Sequence, residues 1–540
     1  MRIAPYYVAV KPPFIFSPLL VGLAFVAGGT ACDSGAGDVQ SDGDAGPITD
    51  GAIVLVPDAA PDRCSFTPTE PVWVVEGDAI SVEIGCSSGE ALTDLTISNL
   101  PSGASLNAST NTITWTPGLD QAAVYNLQLR SSALSGVSDL QIGVADAYDN
   151  PNNQPIVDAT LYTMELGLPV IFIAEEPDND YQFEPMEVTY GGVVHNAEAK
   201  LRGKSSLSYP KRSYALQFDK FDAFNESKFA NFTNRRRVIL TSAFDDNAYF
   251  RQRMAYNLWS QLQPTIAIEA YNVVVYRGTE YRGIYTATDH IAADLLKRSG
   301  LSESADLFKA ENHDANFRLT ANDGSDKSEL WQGYSKTEGS PSEGEDGAFD
   351  SMTALVNFVA NSDDQTFNAE IANMIEIDDY VAWWMHVTFL VADDSGGKNS
   401  YHYHDDARTW RVAPWDFNSS FGQSWETSRT DSDDYVTFFR LNLLFERLLS
   451  HPTIGPEIVA RYKATLESGA FTVANLNSMI DGYMAEIGMA AARDWQRWQN
   501  EYRSFDRWSW RNGSFTTHLE EVSYVRTWIS ERWDFVHANY

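Results

Sequence analysis

Three oxygen-bearing side chains are spaced along one stretch of this chain in a way that could handle a phosphorylated substrate. Asp394 and Asn399 lie in the run Val391-Ala392-Asp393-Asp394-Ser395-Gly396-Gly397-Lys398-Asn399, and Asp416 follows in Pro414-Trp415-Asp416-Phe417-Asn418. Between them, Ser400–His404 and Trp410–Ala413 alternate, or nearly so, around turn residues at Asp405–Arg408, which predicts a β-hairpin. A hairpin brings its open ends together, so Asn399 and Asp416 should emerge side by side, with Asp394 just upstream. Oxygen-only ligands suit a hard cation such as magnesium, bound with waters and phosphates. One carboxylate can instead orient a hydroxyl and take its proton. Singly, each is an ordinary turn or cap residue, since Asp and Asn favour turns; the ordered set of three carries the reading.

The Asp394-to-Asn399 spacing is D-x-x-x-x-N, as in protein kinase catalytic loops, and Asp416-Phe417-Asn418 stands where such kinases place Asp-Phe-Gly. A second window departs from the acidic average of the chain. Residues 198–237 hold ten Lys or Arg against four Asp or Glu, in a protein of net charge −35. This is where an anion would be welcomed. It contains Arg202-Gly203-Lys204-Ser205-Ser206, then Lys211-Arg212-Ser213-Tyr214. A Gly-Ser turn that exposes N–H groups, beside a lysine, offers what phosphate oxygens need, although a solvated hairpin has the same composition. His402 and His404 share one face of the predicted strand, as metal ligands can. With no Cys or third His nearby and with Tyr401 and Tyr403 interleaved, a packed sheet face is the better reading. His386 sits in an apolar helix as a core or cap residue. No Gly-x-Ser-x-Gly elbow and no His-Glu-x-x-His motif supports a hydrolase.

Positioning these residues requires a mixed domain. From about Pro155 to Tyr540, strands are predicted at Val170–Ile173, Tyr214–Phe218, Val238–Thr241, Val273–Tyr276 and Gly283–Ala287. Helices are predicted at Tyr249–Leu262, Phe349–Asn361, Asp378–Val391 and from Val473 onward, with a polar loop over 314–346. Strands come early and helices late, which predicts an α+β domain with a sheet-rich first lobe and a helix-rich second lobe. Ahead of it, residues 64–147 show short alternating runs, such as Ile80–Ile84 and Thr112–Trp115, separated by turns. That is the pattern of a small β-sandwich. Cys64 and Cys86 either bridge across this module or stay as free thiols.

The first 32 residues carry Arg2 and Lys11, then an apolar run from Phe14 to Ala31 that ends at Cys32. This reads as a signal or single-span segment. Residues 33–63 contain seven Asp, only one basic residue (Arg63) and many small residues, the composition of a disordered tether. Together they predict an exported protein at the cell envelope, tethered to a membrane. The acidic balance argues against general nucleic-acid binding.

Several of these motifs resemble known families. Leu100–Leu106 with Thr112–Pro117 resembles the immunoglobulin-like or cadherin-like modules of bacterial surface proteins, which serve as spacers or adhesive units. Gly28-Gly29-Thr30-Ala31-Cys32 resembles a bacterial lipobox, with Gly29 in place of the usual Leu, and implies a lipid on Cys32. The Arg202–Ser206 turn with Lys211 and Tyr214, Tyr281–Tyr285, Asp394 with Lys398–Tyr401, and Pro414–Asp416 with Phe421-Gly422 occur in the order seen in the CotH kinase family. The resemblance spans about Pro155 to Tyr540. It implies an atypical bilobal protein-kinase-like fold and transfer of the ATP γ-phosphoryl group to hydroxyls of surface or coat proteins. Asp394 is then the catalytic aspartate. Asp416 holds magnesium with Asn399, and Asn418 adds a carbonyl oxygen. Lys211, or alternatively Arg212, contacts phosphates beneath the turn of Arg202, Gly203, Ser205 and Ser206. Asn418 and Asp289 depart from the family pattern, which prefers acidic and glutamate residues there. An inactive kinase-like structural or adhesion protein, and nucleotidyl instead of phosphoryl transfer, are the competing implications.

Overall fold

Seven strands between residues 168 and 289 close into a barrel, and five of them are buried on both faces. The computed structural model describes residues 65–133, 136–150, 164–226, 228, 231–405, 409–436, 438, 441–505 and 516–540. The strands are β1 (Leu168–Ile173), β2 (Glu184–Tyr190), β3 (Val193–Arg202), β4 (Ser213–Gln217), β5 (Arg237–Ser242), β6 (Ala270–Arg277) and β7 (Glu280–Asp289). Their order is β1-β2-β3-β4-β5-β7-β6, and β6 returns to β1 in parallel, Val170 opposite Val274. Closure removes both sheet edges. One set of alternate residues fills the interior, among them Ile171, Val188, Ala199, Tyr214, Leu216, Leu240, Val273 and Tyr285. The other set, including Val170, Ala215, Ile239 and Ile284, packs outward into the main core.

Outside the barrel stand α1 (Arg251–Gln261), a four-stranded sheet and a helical layer. The sheet is built from β8 (Asp306–Ala310), β9 (Tyr334–Glu338), β10 (Ser400–His404) and β11 (Arg411–Pro414), in the order β9-β8-β10-β11. Its β10–β11 hairpin follows α2 (Ile377–Leu390), which is buried from Asp379 to Leu390. The chain closes with α3 (Val473–Ser504) and α4 (His518–Asn539), the latter opened by a Thr517–Glu520 capping box. The fold is therefore α+β, as its early strands and late helices predict. Strand β9 falls within the stretch expected to be a loop.

Ahead of the barrel lies an all-β module. Val72–Val75, Val137–Ala145, Ala123–Arg130 and Thr96–Ser98 form one sheet, and Ile80–Glu83, Thr112–Trp115 and Ser105–Asn107 the other. Ile113, Trp115, Leu127, Leu129 and Ile142 fill the space between them. Cys86 is disulfide-bonded. Cys64, the signal-like segment, Cys32 and the acidic tether lie outside the described residues. The module is docked on α3. Gly488 leaves the space that the Trp73 ring occupies, since a Cβ there would fall 2.1 Å from the indole. The Gln496 side chain donates to the Glu76 carbonyl at 3.2 Å, and Arg526 pairs with Glu70 at 2.9 Å. Gly488→Leu should push Trp73 out and release the module from α3. Small-angle X-ray scattering should then show a larger radius of gyration than for the wild-type chain; an unchanged radius would mean that the Trp73 seat does not hold the module.

Candidate functional site

The hairpin register sets the geometry of the acidic group. Ser400 pairs with Pro414 and Tyr403 with Arg411. One step beyond the ladder, the Trp415 N–H donates to the Asn399 carbonyl at 2.7 Å. Asn399 and Asp416 thus flank the open end. Both have left-handed backbones, at φ +57° and +64°, a region that Asn and Asp tolerate better than other non-glycine residues. Upstream, α2 ends at Val391, which also takes a positive φ of 51°. A β-branched residue there is strained, and it turns the chain into the short turn that carries Asp394.

That turn is tied to the hairpin mouth. Ser395 Oγ donates to the carbonyls of Trp415 at 3.0 Å and Asp416 at 3.2 Å. Asn399 Nδ2 donates to the Asp394 carbonyl and to its Oδ2, at 3.1 and 3.0 Å, and Lys398 Nζ lies 2.6 Å from Asp394 Oδ1. Burial pushes the Asp416 carboxyl above the ordinary range. Arg202 opposes that shift, Asp394 adds to it, and Lys398 and Lys309 oppose it.

The cations felt by Asp416 are Arg202 of the barrel wall, Lys398 of the turn and Lys309 of β8, and further cations lie beside Arg202. Lys200 and Arg202 stand two apart on β3, so they share its outer face. Arg237 stands on β5, and Lys309 on β8 pairs opposite Tyr401 of the hairpin. Burial and then Arg237 hold the Lys200 ammonium below its usual range; Asp180 opposes this, and Arg202 and Lys309 add to it. His290, just past the end of β7, is pushed down to about 3 by burial and by Arg237, Arg202, Lys309 and Lys200. Its Nδ1 is buried without a hydrogen-bond partner. Arg202 donates to Thr241 Oγ1 at 3.3 Å and lies 5.3 Å over the Trp415 ring, spanning from barrel to hairpin. After it, Gly203 at φ +123° leads into the Ser205–Ser208 turn. A Cβ on Gly203 would meet Ser206 Oγ at 2.0 Å, so this tight turn requires glycine. A cavity of about 200 Å³ opens beside the cluster, with Arg237, His290, Gln217 and Arg298 in its lining.

Lys211, expected at the phosphates, is elsewhere. It is fully buried and pairs with Asp494 of α3 at 2.5 Å. Its surroundings are Asp494, Arg282 and Arg497, not the Asp394–Asp416 group. The same Asp494 carboxylate accepts from the Ile284 N–H at 2.7 Å and from Tyr502 Oη at 2.7 Å. A sealed ammonium saturated in this way is a structural cation. Asn418 lies at the site, and its Nδ2 donates to Asp245 Oδ2 at 2.5 Å. Lys200, Arg237, Lys309 and Asp245 were not singled out from sequence. The basic window holds the first two, and the alternation of Lys200 with Arg202 was the available signal.

The histidines of the hairpin are packing residues. His402 is buried between Tyr380 Oη and Ser400 Oγ, each 3.0 Å away, and His404 stacks on Trp410. His386 Nε2 meets the Ala255 carbonyl at 2.8 Å. Among the described residues, no three His, Cys, Asp or Glu side chains converge as a metal centre. A hard cation here would therefore lean on one or two carboxylates and on a bound phosphate.

Two outcomes follow from these placements. Lys211→Met should leave Asp494 buried and unpaired and cost roughly 3–5 kcal/mol, read as a lower urea midpoint. His402 is held neutral by burial, down to about 3. Below about pH 6.5 the unfolded chain binds a proton that the folded chain refuses, so this group lowers stability as pH falls. His402→Gln should flatten the stability profile between about pH 6 and 4 by about 1.4 kcal/mol per unit, measured by denaturant titration at each pH.

Comparison with known proteins agrees with this layout. A family model described as Putative Ig domain matches residues 65–144. No curated protein matches the chain. A model described as CotH kinase protein matches residues 199–536, taking in Arg202, the hairpin with Asp394 and Asp416, and α3. Since that match covers more than half of the 540 residues, the chain belongs to the CotH kinase protein family, with an Ig module ahead of its kinase domain.

Proposed function

We propose that this chain is an exported, ATP- and magnesium-dependent protein kinase that phosphorylates hydroxyl groups of cell-surface or coat proteins. The observation that carries this is the opposition of two linked carboxylates, Asp394 and Asp416, to the cations Arg202 and Lys309, with Lys200 beside those two. Cations set against acidic groups are what a metal-bound triphosphate requires. The barrel and the helical layer act as the two lobes around this cleft. Magnesium would be held by Asp416 with the Oδ1 atoms of Asn399 and Asn418, and it would supply charge neutralisation of the phosphates. Those donors are all oxygens, and neither Oδ1 accepts a hydrogen bond among the described residues.

Arg202, Lys200 and Lys309 neutralise the phosphate oxygens, with the Gly203–Ser206 turn lying over them. Asp394 orients the acceptor hydroxyl and takes its proton as the oxygen attacks the γ-phosphorus and the bond to the β-phosphate oxygen breaks, releasing ADP. Lys398, 2.6 Å from Asp394, holds that carboxylate in place. Export and a membrane tether, with a lipid on Cys32, rest on the apolar run ending at Ala31 and the acidic stretch after it. A catalytically inactive structural or adhesive protein is the second reading, favoured by Asn418 in place of an acid.

Incubation with γ-labelled ATP and isolated surface proteins should transfer label. Asp394→Ala and Asp416→Ala should reduce transfer by about 10²-fold or more at an unchanged unfolding midpoint. Equal labelling by wild type and both variants would sink the proposal.

A further inference from the structure

Asp245 closes the turn Ala243–Asp245 that follows β5, and it is almost fully buried. Its neighbour Asp246 is neutralised by Arg251 at 2.7 Å. Asp245 forms no ion pair among the described residues. A buried carboxylate without a counter-ion is costly, so its surroundings should explain it. Tyr209 Oη donates to its Oδ2 at 3.4 Å, and Asn418 Nδ2 donates to the same atom at 2.5 Å. Gln423 Nε2 bridges the two backbones, donating to the Asp245 carbonyl at 2.8 Å and the Asn418 carbonyl at 3.2 Å. The charge of Asp416 is felt at Asp245, so the three side chains are neighbours.

The orientation of the Asn418 amide follows from charge. Its carbonyl oxygen facing a carboxylate would be repelled, so its NH₂ must face Asp245. Oδ1, which accepts no hydrogen bond among the described residues, is left as the outward donor atom. Asn399 is held in the same way, by Asp394. An amide oxygen is a good ligand for a hard cation but carries no charge. A carboxylate hydrogen-bonded behind it orients the ligand and returns negative charge at one remove.

We infer that Asp245 is a positioning residue for the cation site: it anchors Asn418 so that Oδ1 meets the metal, and it supplies the negative charge that an acid at position 418 would otherwise bring. This inference rests on the metal–nucleotide reading above and adds a residue to it.

The test uses the full chain with manganese and ADP, following free manganese by electron paramagnetic resonance and folding by thermal denaturation. Wild type should bind manganese in the presence of ADP, and Asp416→Ala should not. Asp245→Asn should weaken binding by about 10–100-fold, because two amides no longer define which end of Asn418 faces out. Asn418→Asp alone should also weaken it, since two carboxylates then meet without a donor between them. The double variant Asp245→Asn with Asn418→Asp restores one carboxylate and one amide in exchanged places, and it should recover binding. A double variant that fails to recover manganese overturns the inference, whether or not Asp245→Asn folds well. Wild-type binding that Asp245→Asn leaves unchanged overturns it alone, whereas absence of binding by wild type overturns the metal–nucleotide reading and this inference with it.

Discussion

The buried pair of Lys211 and Asp494 is the contact on which the arrangement of this protein turns. Two opposite charges sealed from water are tolerated only when each is fully satisfied. Asp494 meets that demand with an ammonium, a backbone N–H and a tyrosine hydroxyl. It reaches them because residue 283 is glycine at φ +90°, where a Cβ would fall 2.0 Å from its Oδ2. Helix α3 is thereby fixed to the barrel at one point and in one rotation. The same helix carries Gly488, which seats Trp73 of the β-sandwich, and Gln496, which binds Glu76. One rod therefore aligns the Ig module and the barrel, and the module is a docked part of the protein and not a loose spacer.

Barrel closure has its own consequence for the cleft. A closed sheet has a defined outer face, and strand alternation places Lys200, Arg202 and Arg237 on it. Burial first, and then the like charges gathered there, lower the proton affinities of Lys200 and His290. Asp416 stands opposite with the reverse problem, a carboxylate raised by burial and by Asp394. Each half of the site thus gathers charge of one sign. Local strain accompanies this: Val391, Asn399 and Asp416 all hold positive φ within the segment that presents the carboxylates. Such conformations persist only where surrounding packing over-determines them, which here comes from α2, buried along most of its length, and from the Ser395 clasp.

Local physics made much of this visible in advance. The period-2 runs yield the strands of the sandwich and five of the seven barrel strands, and the apolar periodicity yields α1, α2 and α3. The hairpin reading was available because turn residues and flanking alternation are both short-range signals, and hairpin geometry then joins Asn399 to Asp416. Strands β2 and β3 carry weaker signals, because Pro185 stands at the start of β2 and the buried positions of β3 include His195, Ala197 and Ala199 instead of large apolar residues. The basic window was legible as a patch of charge, but not which of its members face the cleft.

Residue types, charge and short-range periodicity thus determined the class of the fold and the acidic hairpin that defines the candidate site, while the family was legible only as a resemblance in the order of its motifs. The tertiary structure alone decided that the sheet closes, that Lys211 is sealed against Asp494 while Arg202 and Lys309 act on Asp416, and that Asp245 lies behind Asn418. The reason is physical. A side chain's type states what it can bind, whereas its partner is set by which distant strand or helix packs against it. Asp494 lies 283 residues from Lys211, and Asp245 lies 173 from Asn418, separations at which no local pattern carries information.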